Sequence, residues 1–251
     1  MKEIFSVVKD LFNNSKQTNY HHRLTLDIGT EYVKAMVVRF DNRYICEIIG
    51  YGRVKQDTMN MEGGAISNIE EVIKKCYEAI DQALEMTEVE PEEIVMGIAG
   101  EFVKGIVTNI SNKRFWAQRP LSHSEINNLV YKAQQQAMEE AEDKLLTDMG
   151  LDDVKVRLIN SSVVDMKIDG YRITNPEEFQ GKNLEISVFS TFAPLVHVGA
   201  LETIAERLGY KLRGIIAEPF AVAKSIMSEE AYEFGAVVID IGGGTTDIAL
   251  I

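Results

Sequence analysis

The chain is poor in the residues that mark several protein classes. It has 2 cysteines, Cys46 and Cys76, in 251 residues. They lie far apart with no metal-ligand spacing around either, which argues against a disulfide scaffold or a structural zinc site and leaves both as packing residues of a reducing compartment. No apolar run approaches the roughly 20 residues of a membrane-spanning helix, and the N-terminus lacks the apolar core and cleavage site of a secretory leader, so a soluble, cytoplasmic protein is expected. Positive charge is also scarce: 26 basic residues face 39 acidic ones, a net charge of −13. Such a chain has no general attraction to nucleic acid, and any anionic ligand must be held by local donors. With 45% hydrophobic residues, there is enough apolar material for one large core or two smaller ones.

Residues 1 to 22 stand apart as an extension. Ile4, Phe5, Val8, Leu11 and Phe12 recur at helical spacing with Lys2, Lys9 and Lys16 interspersed, and the polar stretch NNSKQTNYHH follows. This reads as a short amphipathic helix and a linker, the helix either packing on its own domain or touching a membrane surface. His21 and His22 are adjacent, too close to share a metal ion, and belong to the linker.

From Arg23 onward, three apolar runs separated by polar turns predict an antiparallel meander, followed by a loop, MEGGAI, and a helix over NIEEVIKKCYEAIDQALEM. Two more strands, EEIVMGIAG and FVKGIVTNI, precede a long helix that Ser122 or Ser124 caps, with Glu125 placed as the capping-box partner of Ser122. Further strands and helices alternate to the end, including one helix over EPFAVAKSIMSEEAY. The order predicts a mixed α/β protein with an inserted unit near its middle.

The first and last strand pairs carry one device twice. TLDIGTEYVKAMVV and VIDIGGGTTDIALI share an apolar run, Asp-Ile-Gly, a small-residue turn and a second apolar run. Asp27 and Asp240 each end a buried strand, each followed two residues later by a glycine, Gly29 and Gly242. Glycine turns let backbone N–H groups approach phosphate oxygens without a lysine, so two such hairpins facing each other could grip a polyphosphate through Gly29, Gly242, Gly243 and Gly244. Asp27 and Asp240 would then hold Mg²⁺ through its waters, and Thr30 and Thr245 could add hydroxyl donors. Lys34 is either a phosphate contact or a solvated strand lysine. Glu218 opens a helix ahead of Pro219; it either favours the helix dipole or aims at the metal's water shell or an attacking water. Either hairpin alone is an ordinary turn; the matched pair is what points to phosphate.

At these elements the sequence resembles the actin, heat-shock chaperone and sugar-kinase ATPase superfamily. LDIGTEYVKAMVV is similar to its first phosphate motif, AEPFAVAKS to its first connecting motif, and VVIDIGGGTTDIALI to its second phosphate motif. Within that superfamily the chain resembles the FtsA family of bacterial cell-division proteins, through MEGGAISNIEEVIKKCYEAIDQALE, IVMGIAGEFVKG and LINSSVVDMKIDGYRITNPEEFQGKNLEIS. The resemblance implies an RNase H-like subdomain, 1A, at about 23–100 and 183–251, interrupted by a small α+β SHS2-type subdomain, 1C, at about 101–182. It implies the N-terminal half of such a protein, with the second actin-like half, the adenosine-binding motif, the surface for the FtsZ tail and a terminal membrane helix lying outside this sequence.

The function so implied is an ATP- and Mg-binding adaptor. It would self-associate into actin-like filaments through 1C, contact division proteins such as FtsZ, and sit peripherally at the inner face of the membrane. At most it would be a weak ATPase using Asp27, Asp240 and Glu218, and this portion alone is expected to bind ATP weakly or not at all. The pilus-assembly PilM proteins share the nucleotide motifs and the insertion, and form the alternative reading. A sugar kinase or phosphatase of the superfamily is a third, set apart by its need for a substrate-binding acid and its usual lack of the insertion.

Overall fold

The computed structural model describes residues 20–41, 46–100, 103–150, 153–174, 176 and 178–251. The amphipathic stretch of the N-terminal extension lies outside the described residues. Among the described residues there are two compact units: Lys104–Leu195, and Tyr20–Val103 together with Val196–Ile251.

The larger unit is built on a five-stranded sheet. Its strands are β1 (His21–Ile28), β2 (Tyr32–Phe40), β3 (Cys46–Lys55), β6 (Glu93–Ile98) and β11 (Lys211–Ala217), in the order β11-β6-β1-β2-β3. The antiparallel meander β1-β2-β3 is continued by β6 and β11, which run parallel to β1. MEGGAI forms a miniature hairpin, β4 (Met61–Glu62) and β5 (Ala65–Ile66). The first strand starts two residues earlier than expected. His21 and His22 pair with Phe40 and Arg39, and the His21 ring stacks on Phe40, so they extend β1 instead of linking to it.

Helix α1 (Ile69–Leu84) is capped by Asn68 and buries Val72, Ile73, Cys76, Ala79, Ile80 and Ala83. Gly50 and Gly52 alternate on β3 beneath it. A Cβ there would lie 2.1 Å from the carbonyl oxygen of Ala83 and 1.8 Å from that of Ala79, so only glycine lets the helix approach. Cys46, by contrast, is exposed at the start of β3 and packs no core, whereas burial pushes the Cys76 thiol up to about 12.

Three further helices, Leu195–Arg207, Glu218–Ile226 and Glu229–Phe234, complete this unit. The hydroxyl of Tyr77 donates to the carbonyl of Arg207 at 2.8 Å, and Arg207 pairs with Glu70, joining α1 to the end of the Leu195–Arg207 helix. The expected single helix over 218–232 is broken: Met227 is extended and Ser228 starts a new turn as an N-cap. The closing strands β12 (Val237–Ile241) and β13 (Thr246–Leu250) form their own two-stranded sheet.

The smaller unit is an antiparallel sheet, β7-β10-β8-β9, with one long helix, α2 (His123–Met149), on its face. Its strands are β7 (Lys104–Lys113), β8 (Val156–Ile168), β9 (Tyr171–Arg172) and β10 (Asn183–Pro194). Ser122 caps α2 in a full capping box with Glu125, which decides between the two serines. The core gathers Ile126, Leu129 and Ala133 of the helix with Met166, Ile168, Leu184, Ile186 and Val188 of the sheet. Residues 183–194 had been expected with the larger unit; they pair instead with β7 and β8, because their alternating apolar residues complete this core. The remaining helices are α3 (Leu195–Arg207), α4 (Glu218–Ile226) and α5 (Glu229–Phe234). Among the described residues no helix is long and apolar enough to cross a membrane.

Candidate functional site

Three parallel strands of the larger unit end side by side, β1 at Ile28, β6 at Ile98 and β11 at Ala217. In open α/β sheets a ligand crevice forms outside the carboxyl ends of such strands. Here that edge collects the turn after β1, the glycine after β6, the start of α4 and the tip of the closing hairpin.

The two hairpins are closed in the same way. Gly29 N–H donates to the carbonyl of Tyr32 at 3.1 Å, and Gly242 N–H donates to that of Thr245 at 2.9 Å. The last paired residues are Ile28 with Val33 and Ile241 with Thr246, so Asp27 with Lys34 and Asp240 with Asp247 are the equivalent next pairs. The first hairpin thus sets an acid opposite a base, and the second sets an acid opposite an acid.

The tips touch. A Cβ on Gly243 would lie 2.7 Å from Cβ of Glu31, and one on Gly244 would lie 2.9 Å from Oγ1 of Thr30. One on Gly64 would lie 3.3 Å from Cγ2 of Thr245 and 2.7 Å from Cα of Gly100. At Gly64 backbone meets backbone, whereas Gly243 and Gly244 leave room for the side chains of Glu31 and Thr30.

Beneath the tips lie the charged groups. Lys34 Nζ donates to Asp27 Oδ2 at 2.8 Å. Burial alone would lower the Lys34 ammonium, but the hydrogen bond to Asp27 and the charges of Asp27, Glu218 and Asp240 outweigh it and raise its pKa. The Glu218 carboxyl rests against Gly97, where a Cβ would lie 2.8 Å from Oε1. Burial, then the charge of Asp27, with Asp240 and Asp247 adding and Lys34 opposing, push Glu218 up to about 8. Asp247 is raised too, by burial and by Asp240, against the Gly100 N–H and the Thr245 hydroxyl that donate to it.

All the residues singled out in the sequence, Asp27, Gly29, Thr30, Lys34, Glu218, Asp240, Gly242 to Gly244 and Thr245, come together at this edge. Sequence reasoning passed over Asp247 and Gly97. The signal for Asp247 was present: a four-residue turn after Ile241 puts it opposite Asp240, on the face Asp240 occupies. Gly97 carried none, since only the fold brings Glu218 onto it.

The donor set is all oxygen, which suits a hard divalent cation such as Mg²⁺. Among the described residues no three His, Cys, Asp or Glu side chains are arranged to hold a metal directly, so the fit is to a hydrated ion held through its waters. The N–H groups of Gly29 and Gly242 are spent on closing their turns, which leaves those two residues a conformational part.

Strand order, the matched hairpins and the acid-lined crevice define an actin-like ATPase fold. The solved PilM-PilN type IV pilus biogenesis complex has the same fold, with a TM-score of 0.60 at 16% identity, covering 91% of this chain and 57% of that one. No family model matches the chain. In sequence it is similar to the cell division protein FtsA of Pseudomonas aeruginosa, 27% identical over 226 residues, of Streptococcus pneumoniae, 26% over 232, and of Bacillus subtilis, 24% over 227. Each match takes in 90% of this chain and between 46% and 50% of the relative. The chain therefore spans about half the length of the curated relatives it matches.

Proposed function

We propose that the chain is the ATP-binding, N-terminal part of an FtsA-like adaptor that forms actin-like filaments and links the bacterial division ring to the membrane. The carrying observation is the pair of matched hairpins meeting at the carboxyl ends of three parallel strands, with Asp27, Glu218, Asp240 and Asp247 beneath them. The likeness to FtsA over 90% of the chain supports the division role over the pilus role suggested by the PilM fold, whose identity is 16%.

In this reading the larger unit is subdomain 1A and Lys104–Leu195 is the SHS2-type subdomain 1C, which carries self-association and partner contacts. The backbone amides of residues 30, 31 and 243–245 face the phosphates of ATP, Thr30 and Thr245 add hydroxyl donors, and Asp27 and Asp240 bind the water shell of Mg²⁺. The bound ion would draw charge from the phosphate oxygens. Lys34, which holds Asp27 at 2.8 Å, orients that carboxylate and is a candidate to reach the phosphate. Glu218 holds or accepts a proton beside the crevice, where it could position water; turnover is weak at most. Because the tips touch, they must part to admit a nucleotide, and this supports low affinity in the chain alone. Partners are further copies, division proteins such as FtsZ, and a peripheral contact with the inner face of the membrane.

The test is a titration of the chain with Mg·ATP, followed by NMR of the amides of residues 27–34 and 240–247. Weak, saturable shifts confined to these residues and lost in Asp240→Ala support the reading. Their absence at millimolar nucleotide, or equal shifts in the variant, overturns it.

A further inference from the structure

The smaller unit leaves one long strand at the margin of its sheet. β7 runs for 10 residues and, among the described residues, pairs with β10 alone, without a register shift. The residue after it fixes which backbone groups point outward. Arg114 N–H donates to the carbonyl of Lys182 at 2.7 Å, so the alternation of an antiparallel ladder assigns residues 106, 108, 110 and 112 to bonds with β10. Residues 105, 107, 109, 111 and 113 then direct N–H and C=O away from the sheet.

Natural proteins guard such an edge with proline, bulges or inward charges, because it is a template for another strand. Between its terminal lysines β7 reads GIVTNISN and has none of these. A groove of about 540 Å³ runs beside it, with Asn109, Ile110 and Asn112 on the strand side and Leu129, Lys132 and Gln136 on α2. The floor is apolar, the walls are amides, and the charged group lining the groove is the ammonium of Lys132. Among the described residues no carboxylate lines it, in a chain whose net charge is −13.

We propose that the β7 edge and the adjoining groove dock an extended, acidic segment of a partner protein by strand addition. The partner's backbone would pair with residues 105–113, one apolar side chain would rest on Ile110 and Leu129, and a carboxylate would meet Lys132. A second copy of this chain fits worse. Its own β7 ends in Lys104 and Lys113 and carries no carboxylate between them to meet Lys132. The proposal goes beyond the nucleotide reading and is independent of it, since every residue involved lies in Lys104–Leu195.

The test uses the whole chain and three synthetic heptapeptides: one alternating Val with Glu and Thr, one with Lys in place of Glu, and the acidic one N-methylated on alternate backbone nitrogens. Binding is read from NMR shifts of the amides of 105–113 and from the fluorescence of Trp116, the chain's 1 tryptophan, three residues past β7. The acidic peptide should bind at millimolar concentration, and N-methylation, or Ser111→Pro, which removes an outward N–H, should weaken it about tenfold or more. Lys132→Glu should reverse the preference towards the basic peptide. If no peptide shifts β7, or the N-methylated one binds equally, the proposal fails. It fails too if sedimentation shows the chain dimerising and Ser111→Pro abolishing the dimer, because the edge would then belong to a second copy. The N-methylated peptide acts on the unaltered chain, so the outcome does not depend on how Ser111→Pro folds.

Discussion

Lys34 and Asp247 occupy the same position in two copies of one hairpin, each paired across its ladder with the aspartate that precedes Ile-Gly. In the first copy the opposite charge neutralises Asp27 at 2.8 Å; in the second, like charge sits opposite Asp240 and raises Asp247. Among the described residues the crevice therefore sets the Lys34 ammonium against the carboxyls of Asp27, Glu218, Asp240 and Asp247, an excess of acid that a bound cation would offset. Replacing Lys34 by Met should lower stability in chelator by about 1 kcal/mol, the upper range for a partly exposed pair. Millimolar Mg²⁺ should then restore more stability to the variant than it adds to the parent, as read by thermal melts. A variant that melts like the parent and ignores Mg²⁺ would show that the crevice does not favour a cation.

Glu218 ties stability to pH. Its carboxyl is raised from the ordinary glutamate value to about 8 in the folded chain, so folding favours the protonated form. Its contribution is fully present below the unfolded pKa near 4.5 and is lost as pH rises through about 8. Asp247, also raised, acts in the same direction. Melts from pH 5 to 9 should show a loss on the order of a few kcal/mol that Glu218→Gln largely removes. An equally steep profile in that variant would assign the loss to other groups.

Sequence patterns foretold the meander, the long capped helix and both hairpins, because each is set by short-range alternation, periodicity or a cap. They did not foretell that β10 completes the sheet of the smaller unit, since an alternating strand fits either of two cores and only long-range pairing chooses. The break at Met227 was hidden by apolar residues that continue the helical period across Ser228. At the site, the Asp-Ile-Gly repeat exposed Asp27 and Asp240, whereas the contact of Gly97 with Glu218 joins positions far apart in the chain and no local signal marks it.

Gly52 is the more crowded of the two glycines under α1. A Cβ would lie 1.8 Å from the Ala79 carbonyl oxygen and 2.8 Å from its carbon, both backbone atoms that cannot swing aside. Gly52→Ala should thus lift the helix from the sheet and cost roughly 1–3 kcal/mol or more. Gly150→Ala is the contrast: a Cβ there meets nothing within 4 Å, and its left-handed φ of 62° gives a cost of about 1–2 kcal/mol by backbone strain alone. Denaturant titrations should show the first variant destabilised more, with altered amide shifts along α1, and the second with shifts confined to the end of α2.

Arg114 is the most enclosed cation of the smaller unit, 5% exposed. Its guanidinium bonds Glu125 through Nε and Nη2, the Gly181 carbonyl through Nη1, and the carbonyls of Arg119 and Pro120 through Nη2. It thereby ties the capping-box glutamate of α2 to two loops and holds the Glu125 carboxyl below the usual range. A lysine offers one charged point and three donors in place of this planar fork, so it cannot reach all the acceptors at once. Arg114→Lys should cost on the order of 2–3 kcal/mol, and Arg114→Ala more, since it leaves the acceptors without their partner. Proteolysis should then open first at residues 115–121, with Trp116 fluorescence reporting the release. If Arg114→Lys melts like the parent, the charge alone holds the loops and the fork geometry is dispensable.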